Sequence, residues 1–347
     1  MEAFKPLIAK VAAGLPLAGP EAEIAFSQIL SGESTPAQTA AFLMALRVRG
    51  ETVEEIASAA HIMREKAEKV ALDGLDALDT CGTGGDGTGT FNVSTAVALV
   101  AASAGVKVAK HGNRSATSLC GCADVLEELG VNINQTPDQV RSCVENANIG
   151  FMFAPLYHKS MRFVANTRKQ LGFRTIFNIL GPLSNPAGAV YQVLGVFHPN
   201  LVEIMAMVLN RLGTKHAMVV HGSGGMDEIS MTGPTMVSEI RDGRVENYMI
   251  KPEDYGFKPC ALGDLKGGTK EENAAILKGL LKGERSPKRD MLLLNAGAAL
   301  YVAGKASGIG EGINMAAEAI DSGRALNILD RFVQVSSAHR PGFTGSQ

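Results

Sequence analysis

Glycine is concentrated in one short stretch of the chain, DTCGTGGDGTGTFNVSTA, which runs from Asp79 to Ala96. Glycine loses more conformational freedom on folding than any other residue, so a dense run is either a slack linker or a surface that holds something close to the backbone. Leu75 and Leu78 precede the stretch and a run of Ala, Val and Leu follows it, and a solvated linker does not have such flanks. We therefore predict a strand end, a loop and the start of a buried helix.

A glycine loop that leads into a helix N-terminus is typical of an anion site, because bare backbone N–H groups converge there and the helix dipole adds positive potential. Asn92, Ser94 and Thr95 add side-chain donors at the predicted helix start. The loop lacks the Gly-Lys-Ser/Thr of a Walker loop and the ribose-binding acid of a dinucleotide fingerprint. Asp86 would repel a phosphate unless it accepted a hydroxyl or faced a metal. A ribose ring beside a phosphate fits this pattern.

The stretch KHGNRSATS, residues 110–118, directly follows a strand predicted at 106–109. It offers the basic side chains of Lys110 and Arg114, the ring of His111, an amide and three hydroxyls. Open α/β sheets bind ligands at the carboxyl ends of their strands. Such a cluster suits a polyanion, and an ordinary solvated loop is the alternative interpretation.

The stretch HGSGGMDEIS, residues 221–230, follows a strand predicted at 217–220. Its adjacent Asp227 and Glu228 present the hard oxygen donors that Mg²⁺ takes beside substrate phosphates. Two neighbouring acids alone are usually surface charge. On the same sheet edge as a basic cluster, they indicate a metal-bridged polyphosphate.

The order of elements along the chain predicts its fold class. The first 70 residues read as helices, with capping boxes at Thr35 and Thr52, the second opening a helix to about Val70. Their apolar faces pack within the subunit or, in part, form a subunit interface. Beyond Leu75, β-rich runs alternate with helices, which predicts an α/β fold with a largely parallel sheet. The predicted elements are strands at 106–109, 149–153, 191–197 and 217–220, a hairpin of 236–240 and 245–250, and helices at 124–129 and 201–212.

This order also suggests two domains. Residues 1–72, joined by returning helices at about 158–185, are expected to form a small all-helical N-terminal domain. Residues 73–157 and 186–347 are expected to form a larger α/β domain around a central, mostly parallel sheet.

Composition argues against several classes of protein. Of the 347 residues, 46% are hydrophobic and 20% are charged, which allows a large core. A net charge of −2 and the absence of Trp argue against a nucleic-acid partner. We find neither a signal-peptide pattern nor a membrane span, so no membrane partner is expected. Five irregularly spaced cysteines are interpreted as reduced, mostly buried thiols rather than metal ligands, which suits a cytoplasmic location.

Four motifs occur in series: GTGGD with FNVST, then KHGNR, then RTIFNILGPLSNP at Arg174–Pro186, then HG with DEIS. In order and spacing the chain resembles the anthranilate phosphoribosyltransferase family of tryptophan biosynthesis, over essentially its whole length. The resemblance implies a nucleoside phosphorylase/phosphoribosyltransferase-like fold and homodimers formed through the helices. It implies phosphoribosyl pyrophosphate (PRPP) and anthranilate as substrates and Mg²⁺, as two ions, as cofactor.

The resemblance also implies which residues bind. For PRPP they are Gly82, Gly85, Asp86, Thr90, Asn92, Val93, Ser94, Thr95, Lys110, His111, Gly112, Asn113, Arg114, Ser115, Ala116, Thr117, Ser118 and Cys122. For anthranilate they are Gly82, Asn113 and Arg168, and for the metal Ser94, Asp227 and Glu228. The Arg168 guanidinium would bind the carboxylate of anthranilate in a two-pronged fashion. The acceptor would then come from the helical side and PRPP from the sheet side.

The chain departs from the family pattern at three places. Leu119 stands where a basic residue is common, and Cys122 stands where a small hydroxyl is usual. The stretch 158–161, His-Lys-Ser-Met, replaces His-Pro-Ala-Met at the rim of the acceptor site. A thiol is a poor donor to phosphate, which weakens the contact expected of Cys122.

The expected reaction is displacement of pyrophosphate from ribose C1 by an aromatic amine. An aniline nitrogen is neutral at pH 7 and needs no base before it attacks, so we assign no catalytic base and give Lys110 and His111 positioning roles. Leaving-group neutralisation and alignment of the reactants would supply the catalysis. Two alternatives are a pyrimidine-nucleoside phosphorylase-like enzyme, which uses free phosphate and no metal, and a nucleic-acid-binding relative of the same fold.

Overall fold

The computed structural model describes residues 4–115 and 119–338. In this part of the chain the N-terminal helices are α1 (Phe4–Ala12), α2 (Gly19–Ser31), α3 (Pro36–Arg49) and α4 (Val53–Lys66). The hydroxyls of Thr35 and Thr52 accept the backbone N–H groups of Gln38 and Glu55, so both predicted capping boxes form. These caps fix where α3 and α4 begin.

Helix α4 is shorter than predicted, because it ends at Lys66 and not near Val70. The next residues find backbone partners elsewhere in the chain. The Glu68 N–H donates to the Tyr157 carbonyl at 2.9 Å, and the Val70 N–H donates to the Pro186 carbonyl at 3.2 Å. These bonds replace those that would have continued the helix.

The rest of the described chain alternates strands with helices. The strands are β1 (Leu78–Gly82), β2 (Val108–Gly112), β3 (Ile149–Phe153), β4 (Tyr191–Gly195), β5 (His216–Gly222), β6 (Thr235–Arg241) and β7 (Arg244–Ile250). The helices are α5 (Val93–Ser103), α6 (Cys122–Glu128), α7 (Pro137–Ala147), α8 (Ala154–Tyr157), α9 (Arg162–Leu171), α10 (Phe177–Leu180), α11 (Leu201–Arg211), α12 (Lys270–Leu281), α13 (Pro287–Val302), α14 (Ile309–Asp321) and α15 (Arg324–Ser337). Sequence analysis did not single out α7, α8 or α13–α15.

The described strands form one sheet of seven strands in the order β3-β2-β1-β4-β5-β6-β7. Strands β1 to β5 are parallel, and β6 and β7 form the predicted antiparallel hairpin at the edge. The chain moves outward from β1 in both directions, so β1, flanked by β2 and β4, lies at the switch point of the topology. In open α/β sheets, ligands bind in the crevice at the carboxyl ends of the strands beside such a point.

Strand β2 lies further along the chain than predicted. It begins at Val108 and ends at Gly112, so Lys110 and His111 belong to the strand and not to the loop after it. Pairing with β3 explains the difference, because Lys110 lies opposite Phe151 in an unbroken ladder. Both side chains are therefore set by strand register and have far less freedom than loop residues.

One face of the sheet and the N-terminal helices share an apolar core. This core joins side chains of α1–α4 to Val164 of α9, to Phe177 of α10, to Val219 of β5 and to Val196 just after β4. Helix α9 packs against α2 and α3, and α11 packs against α4. A second core lies on the other face of the sheet, against α5, α13 and α14. No helix among the described residues has both the length and the apolar character needed to cross a bilayer.

Candidate active site

Of the parallel strands in the described chain, four end in glycine. They are Gly82, Gly112, Gly195 and Gly222, at the ends of β1, β2, β4 and β5. A Cβ atom at Gly195 would overlap the main chain of Asp227, and one at Gly82 would overlap its carboxylate. A Cβ atom at Gly222 would clash with the main-chain carbonyl of Glu228. Because these glycines have no side chains, the segment that carries Asp227 and Glu228 can pack directly against the ends of the strands.

Asp227 supports the glycine loop between β1 and α5. Its Oδ2 accepts the Gly84 N–H at 2.8 Å. The loop is also tied to β4, because the Thr83 N–H donates to the Gly195 carbonyl at 2.9 Å. Four glycines of the loop have φ between 62° and 72°, a left-handed region that other residues rarely adopt: Gly84, Gly85, Gly87 and Gly89. The loop is therefore a defined surface and not a linker.

The far half of the loop is held by its own side chains and by Lys266. Asp86 accepts hydrogen bonds from the backbone N–H and the hydroxyl of Thr88. Thr90 pairs with Lys266 in a β-bridge, and the Lys266 ammonium group donates to the Thr88 carbonyl. Thr88, which sequence analysis did not select, thus holds the Asp86 carboxylate, which also hydrogen-bonds to the side chain of Asp227.

Asp227 and Glu228 are buried acids with little positive charge nearby to balance them. Burial raises the pKa of Asp227, and the nearby charge of Asp86 raises it further. Burial also raises the pKa of Glu228 well above its usual range, followed by the charge of Asp227, whereas Lys110 opposes this shift. Within the described chain, no three His, Cys, Asp or Glu side chains form a metal cage of their own. One or two carboxylates completed by substrate oxygens are what Mg²⁺ prefers, so this donor set fits Mg²⁺.

Lys110 joins the strand before the glycine loop to the first turn of the helix after it. It is 1% exposed, and its Nζ donates to the Thr80 carbonyl and, at 3.2 Å, to the Ser94 hydroxyl. The Ser94 backbone also hydrogen-bonds to Glu228. Ser94 and Glu228 line a cavity of about 10 Å³, which is room for about one water molecule. The structure thus brings a lysine, a serine and an acid from three separate motifs together.

The first turn of α5 carries the other side chains selected at this terminus. The Thr95 hydroxyl and the Asn92 Oδ1 are buried, and neither has a hydrogen-bond partner in the described part of the chain. The Asn92 amide donates to the Cys120 carbonyl at 3.3 Å. The Val93 N–H donates to the Phe91 carbonyl at 2.7 Å, so that donor is already used. The Thr95 hydroxyl is the group here that is most clearly available to a ligand.

His111 and His158 lie side by side as neutral rings, with ring centroids 4.9 Å apart. Burial lowers the pKa of His111 to about 3 and that of His158 to about 4. The Nδ1 of His111 lies 3.2 Å from the Gly181 carbonyl, which can only accept, so Nδ1 carries the proton. The Nε2 of His111 is then an acceptor, and it has no partner among the described residues.

Asp79 holds the backbone of His111 in place. Its carboxylate accepts the His111 backbone N–H at 3.3 Å and the Asn185 amide at 2.8 Å. Asn185 also donates to the Ala109 carbonyl at 2.8 Å, and burial raises the pKa of Asp79 to about 6. Sequence analysis gave no role to this pair. A carboxylate at a buried strand position was the available signal.

The loop after β2 is held against α6. The Arg114 guanidinium forms ion pairs with Asp124 at 2.7 Å and with Glu127 at 2.9 Å, so its charge is shared with two acids. The Cys122 thiol donates to the Asn113 carbonyl at 3.3 Å, and the Ser115 N–H donates to Asp124 at 3.1 Å. The remaining predicted ligands of this loop lie outside the described residues: Ala116, Thr117 and Ser118.

Arg168 lies on the helical side, in the last turn of α9. Its guanidinium is 5.6 Å from the centroid of the Phe177 ring, and burial lowers its pKa. It pairs with no acid in the described residues. A half-buried guanidinium without a carboxylate partner is suited to a ligand that brings one. The glycine loop is contacted from this side by Arg174, further along the same segment, whose Nη2 donates to the Gly85 carbonyl.

Comparison with protein families defines the class of protein to which this fold and site belong. Residues 74–326 match the family model described as "Glycosyl transferase family, a/b domain". Residues 5–67 match "Glycosyl transferase family, helical bundle domain". Together they cover most of the chain, which is a glycosyl transferase of this family.

Comparison with individual relatives identifies the particular family within this class. The anthranilate phosphoribosyltransferase of Symbiobacterium thermophilum is 53% identical over 94% of this chain and 96% of its own length. The crystal structure of the Thermus thermophilus enzyme superposes with a TM-score of 0.91 at 45% identity, covering 97% of this chain and 99% of that one. The Saccharomyces cerevisiae enzyme, in complex with PRPP and Mg, gives a TM-score of 0.89 at 31% identity, covering 96% and 98%. The chain belongs to the anthranilate phosphoribosyltransferase family.

The family, fold class and activity predicted from the sequence motifs are confirmed by these relatives. The phosphorylase-like and nucleic-acid-binding alternatives have no support among them. The roles of individual residues remain to be argued from the geometry of the site.

Proposed function

We propose that this chain binds PRPP across the carboxyl edge of its sheet and transfers the 5-phosphoribosyl group to the amine of anthranilate. The products are N-(5-phosphoribosyl)anthranilate and pyrophosphate. The observation that carries the proposal is the convergence of Lys110, Ser94 and Glu228 beside a loop whose Gly84 N–H is held by Asp227. A metal-bound diphosphate needs acidic groups for the metal, and a basic group and free backbone N–H donors for the phosphates. This arrangement offers all three kinds of group.

On the donor side, we assign the pyrophosphate to the N-terminus of α5. The unpartnered Thr95 hydroxyl and the Ser94 hydroxyl beside Lys110 support this assignment. Asp86, held by Thr88, is assigned to a ribose hydroxyl. The loop after β2, including Asn113, is assigned to the remaining phosphate and the ribose.

Mg²⁺ is the cofactor that this donor set suits, and the yeast relative was solved with PRPP and Mg. We assign two ions, held by Asp227, Glu228 and the Ser94 hydroxyl. When bound, Mg²⁺ neutralises the charge that develops on the departing pyrophosphate. The raised pKa values of Asp227 and Glu228 show that burial disfavours their charged forms, which a bound cation would stabilise. Lys110 supplies a further fixed positive charge at the same edge.

On the acceptor side, we assign the carboxylate of anthranilate to Arg168. A related yeast structure contains 4-fluoroanthranilate, a close analogue of this acceptor. The bare Nε2 of His111 can accept one hydrogen of the amine and so orient its lone pair. This is a positioning role, because a ring whose pKa is about 3 is a poor base for a neutral amine at pH 7.

We also propose that two copies associate through the N-terminal helices. Apolar side chains are exposed on and beside these helices, at Leu15, Ile24, Met44 and Val48, and Val48 is 75% exposed. A second copy packed on these helices would cover apolar side chains that are otherwise exposed to water. Sedimentation of the protein and of the Val48→Glu variant measures this directly, and a monomeric wild type would refute it.

We retain the proposed division into a helical domain of residues 1–72 with 158–185, and an α/β domain of residues 73–157 and 186–347. The packing of α9 against α2 and α3 supports placing the returning helices with the N-terminal ones. Limited proteolysis checks it, because cleavage is expected in the exposed or partly exposed connections at residues 73–76 and 187–190.

The test of the activity is to mix the protein with PRPP, Mg²⁺ and anthranilate and to follow the loss of anthranilate fluorescence. Signal loss should require all three and should stop when the metal is chelated. A phosphorylase would instead cleave a pyrimidine nucleoside with inorganic phosphate in the absence of metal. No loss of fluorescence with a folded protein would refute the proposal.

A further inference from the structure

Arg174 bridges two parts of the site that come from different regions of the chain. It lies in the segment between α9 and α10, and its Nη2 donates to the carbonyl of Gly85 in the glycine loop. Its guanidinium also lies 4.1 Å from the centroid of the Phe197 ring, in the loop after β4. A delocalised guanidinium can lie over an aromatic ring and donate a directed hydrogen bond at the same time, a combination that the compact lysine ammonium group does not match.

The surface that Arg174 contacts is itself rigidly connected. The Phe197 N–H donates to the Thr83 hydroxyl at 3.0 Å, and the Thr83 N–H donates to the Gly195 carbonyl at 2.9 Å. Gly85 has a φ of 72°, and a Cβ atom there would lie 3.3 Å from Arg174 Nη2. Arg174 therefore touches the donor loop at a point that the strand ends already fix.

The other end of the same segment carries the acceptor arginine. Arg168 lies in the last turn of α9, and the helix ends at Gly172 with a left-handed φ of 67°. After Arg174, the Thr175 N–H donates to the Asn178 side chain at 2.9 Å and starts the next helical turn. A short segment fixed at both ends transmits a displacement of one arginine to the other.

We propose that Arg174 is a positioning residue that holds the PRPP loop in register with the arginine that binds anthranilate. The proposal rests on the assignment of the glycine loop to PRPP and of Arg168 to anthranilate. Arg174 contacts neither reacting atom in this scheme. Its effect is to place the amine over ribose C1, where small misalignments reduce the rate strongly.

Steady-state kinetics of three variants test the role. Arg174→Ala is expected to lower kcat/KM for both substrates by about 10- to 100-fold, the order of effect of a misplacement near 1 Å. Arg174→Lys should recover part of the loss, because lysine can still donate to the Gly85 carbonyl. Lys169→Ala, an exposed basic residue on α9, is the matched control and should match wild type. Wild-type kcat/KM in folded Arg174→Ala would overturn the proposal.

A second measurement separates positioning from a merely structural role. Pyrophosphate with Mg²⁺ and anthranilate form a pair that cannot react, so calorimetry can measure the affinity of each with and without the other. In wild type each should change the affinity of the other by the same factor, of at least about 5. In Arg174→Ala this factor should fall to about 1. Equal factors in the two proteins, or no coupling in wild type, would contradict the role of Arg174.

Failure of the underlying site assignment gives a different result. If pyrophosphate with Mg²⁺ binds Asp227→Ala as tightly as wild type, the donor site lies elsewhere, whatever Arg174 does. If Asp227→Ala loses pyrophosphate binding, but pyrophosphate and anthranilate still change each other's affinity in Arg174→Ala, the assignment of the donor site is supported. Only the positioning role of Arg174 is then refuted.

Discussion

The Asp227 carboxylate accepts a hydrogen bond from the Gly84 N–H at 2.8 Å, across 143 positions of the sequence. The bond joins the loop after β1 to the loop after β5, which no strand pairing connects directly. One oxygen of a proposed metal ligand thus also fixes the position of Gly84 in the glycine loop. Loss of this side chain affects metal affinity and loop geometry together, and substitutions differ in which of the two they disturb.

Asp227→Asn isolates the charge, because the amide oxygen can still accept the Gly84 N–H. We expect it to weaken Mg²⁺ binding by at least about 10-fold, since even loss of a group that only supports a ligand costs about 10- to 100-fold, and to lower turnover most at limiting Mg²⁺. Glu228→Ala should act in the same direction. Turnover measured against Mg²⁺ concentration checks this, with the exposed Glu246→Gln as control. Full activity of the Asp227→Ala/Glu228→Ala protein at limiting Mg²⁺ would contradict the assignment.

Arg168→Ala should raise the KM for anthranilate more than the KM for PRPP. A hydrogen-bonded charge pair contributes about 1.5–3 kcal/mol, so the anthranilate KM should rise by about 10- to 100-fold. The anthranilate KM of Arg168→Lys should lie between those of wild type and Arg168→Ala, because lysine keeps the charge but not the two-pronged geometry. Initial rates at varied concentrations of each substrate measure both constants. Equal increases in the two KM values would place Arg168 elsewhere.

The two buried histidines lower the stability of the protein in mild acid, a contribution opposite in sign to that of buried carboxyl groups such as Asp79, whose raised pKa favours the folded state there. Their pKa values are lowered from 6.5 to about 3 for His111 and about 4 for His158, so below pH 6.5 the unfolded chain takes up protons that the folded chain does not. Their contribution is present above pH 6.5 and is lost as the pH falls toward the folded values. From pH 7 to pH 5 each should lower the free energy of unfolding by about 2 kcal/mol.

Urea unfolding at the two pH values checks this histidine effect. The His111→Gln/His158→Gln protein should lose less stability than wild type on acidification, while the exposed His61→Gln should behave as wild type. In NMR spectra the two buried rings should stay neutral between pH 8 and pH 5. A ring of His111 that titrates near pH 6.5 in the folded protein would show that burial does not hold it neutral.

Gly195→Ala should disturb the proposed metal site by displacing the main chain of Asp227. Its Cβ would overlap the Asp227 main chain, and the backbone must shift, at a cost of about 1–3 kcal/mol for overpacking. Gly263→Ala is the matched control, since no atom lies within 4 Å of a Cβ placed there. Thermal unfolding and Mg²⁺ affinity measure the two effects. Equal behaviour of the two alanine variants would show that the acidic segment tolerates the side chain.

The glycine loop, Lys110 and the acidic pair could be selected from the sequence as candidate site residues because each follows a local pattern. Glycine density, apolar flanks and adjacent acids are visible within a few residues. The start of β2 could not be placed, since Lys110 and His111 belong to the strand only through pairing with β3. The end of α4 was missed for a similar reason, because Val70 bonds to the distant Pro186.

The contacts that complete the site depend on parts of the chain far apart in sequence. The Asp79–Asn185 bond spans 106 positions, and the Arg174–Gly85 bond spans 89. No local pattern marks such pairs. The neutral state of His111 likewise follows from the depth of its burial, which depends on how the helical segment near Gly181 covers the end of β2.

The shared core of the N-terminal helices has a consequence for how the protein is made. Phe26 of α2 packs edge-on against Phe177, with ring centroids 6.2 Å apart, and Val164 lies in the same core. During synthesis, α1–α4 emerge from the ribosome well before the residues that cover them. A nascent chain at that stage carries uncovered apolar surface, which favours aggregation or capture by chaperones. A fragment ending near Lys66 is therefore expected to be insoluble on expression, although its helices are well capped.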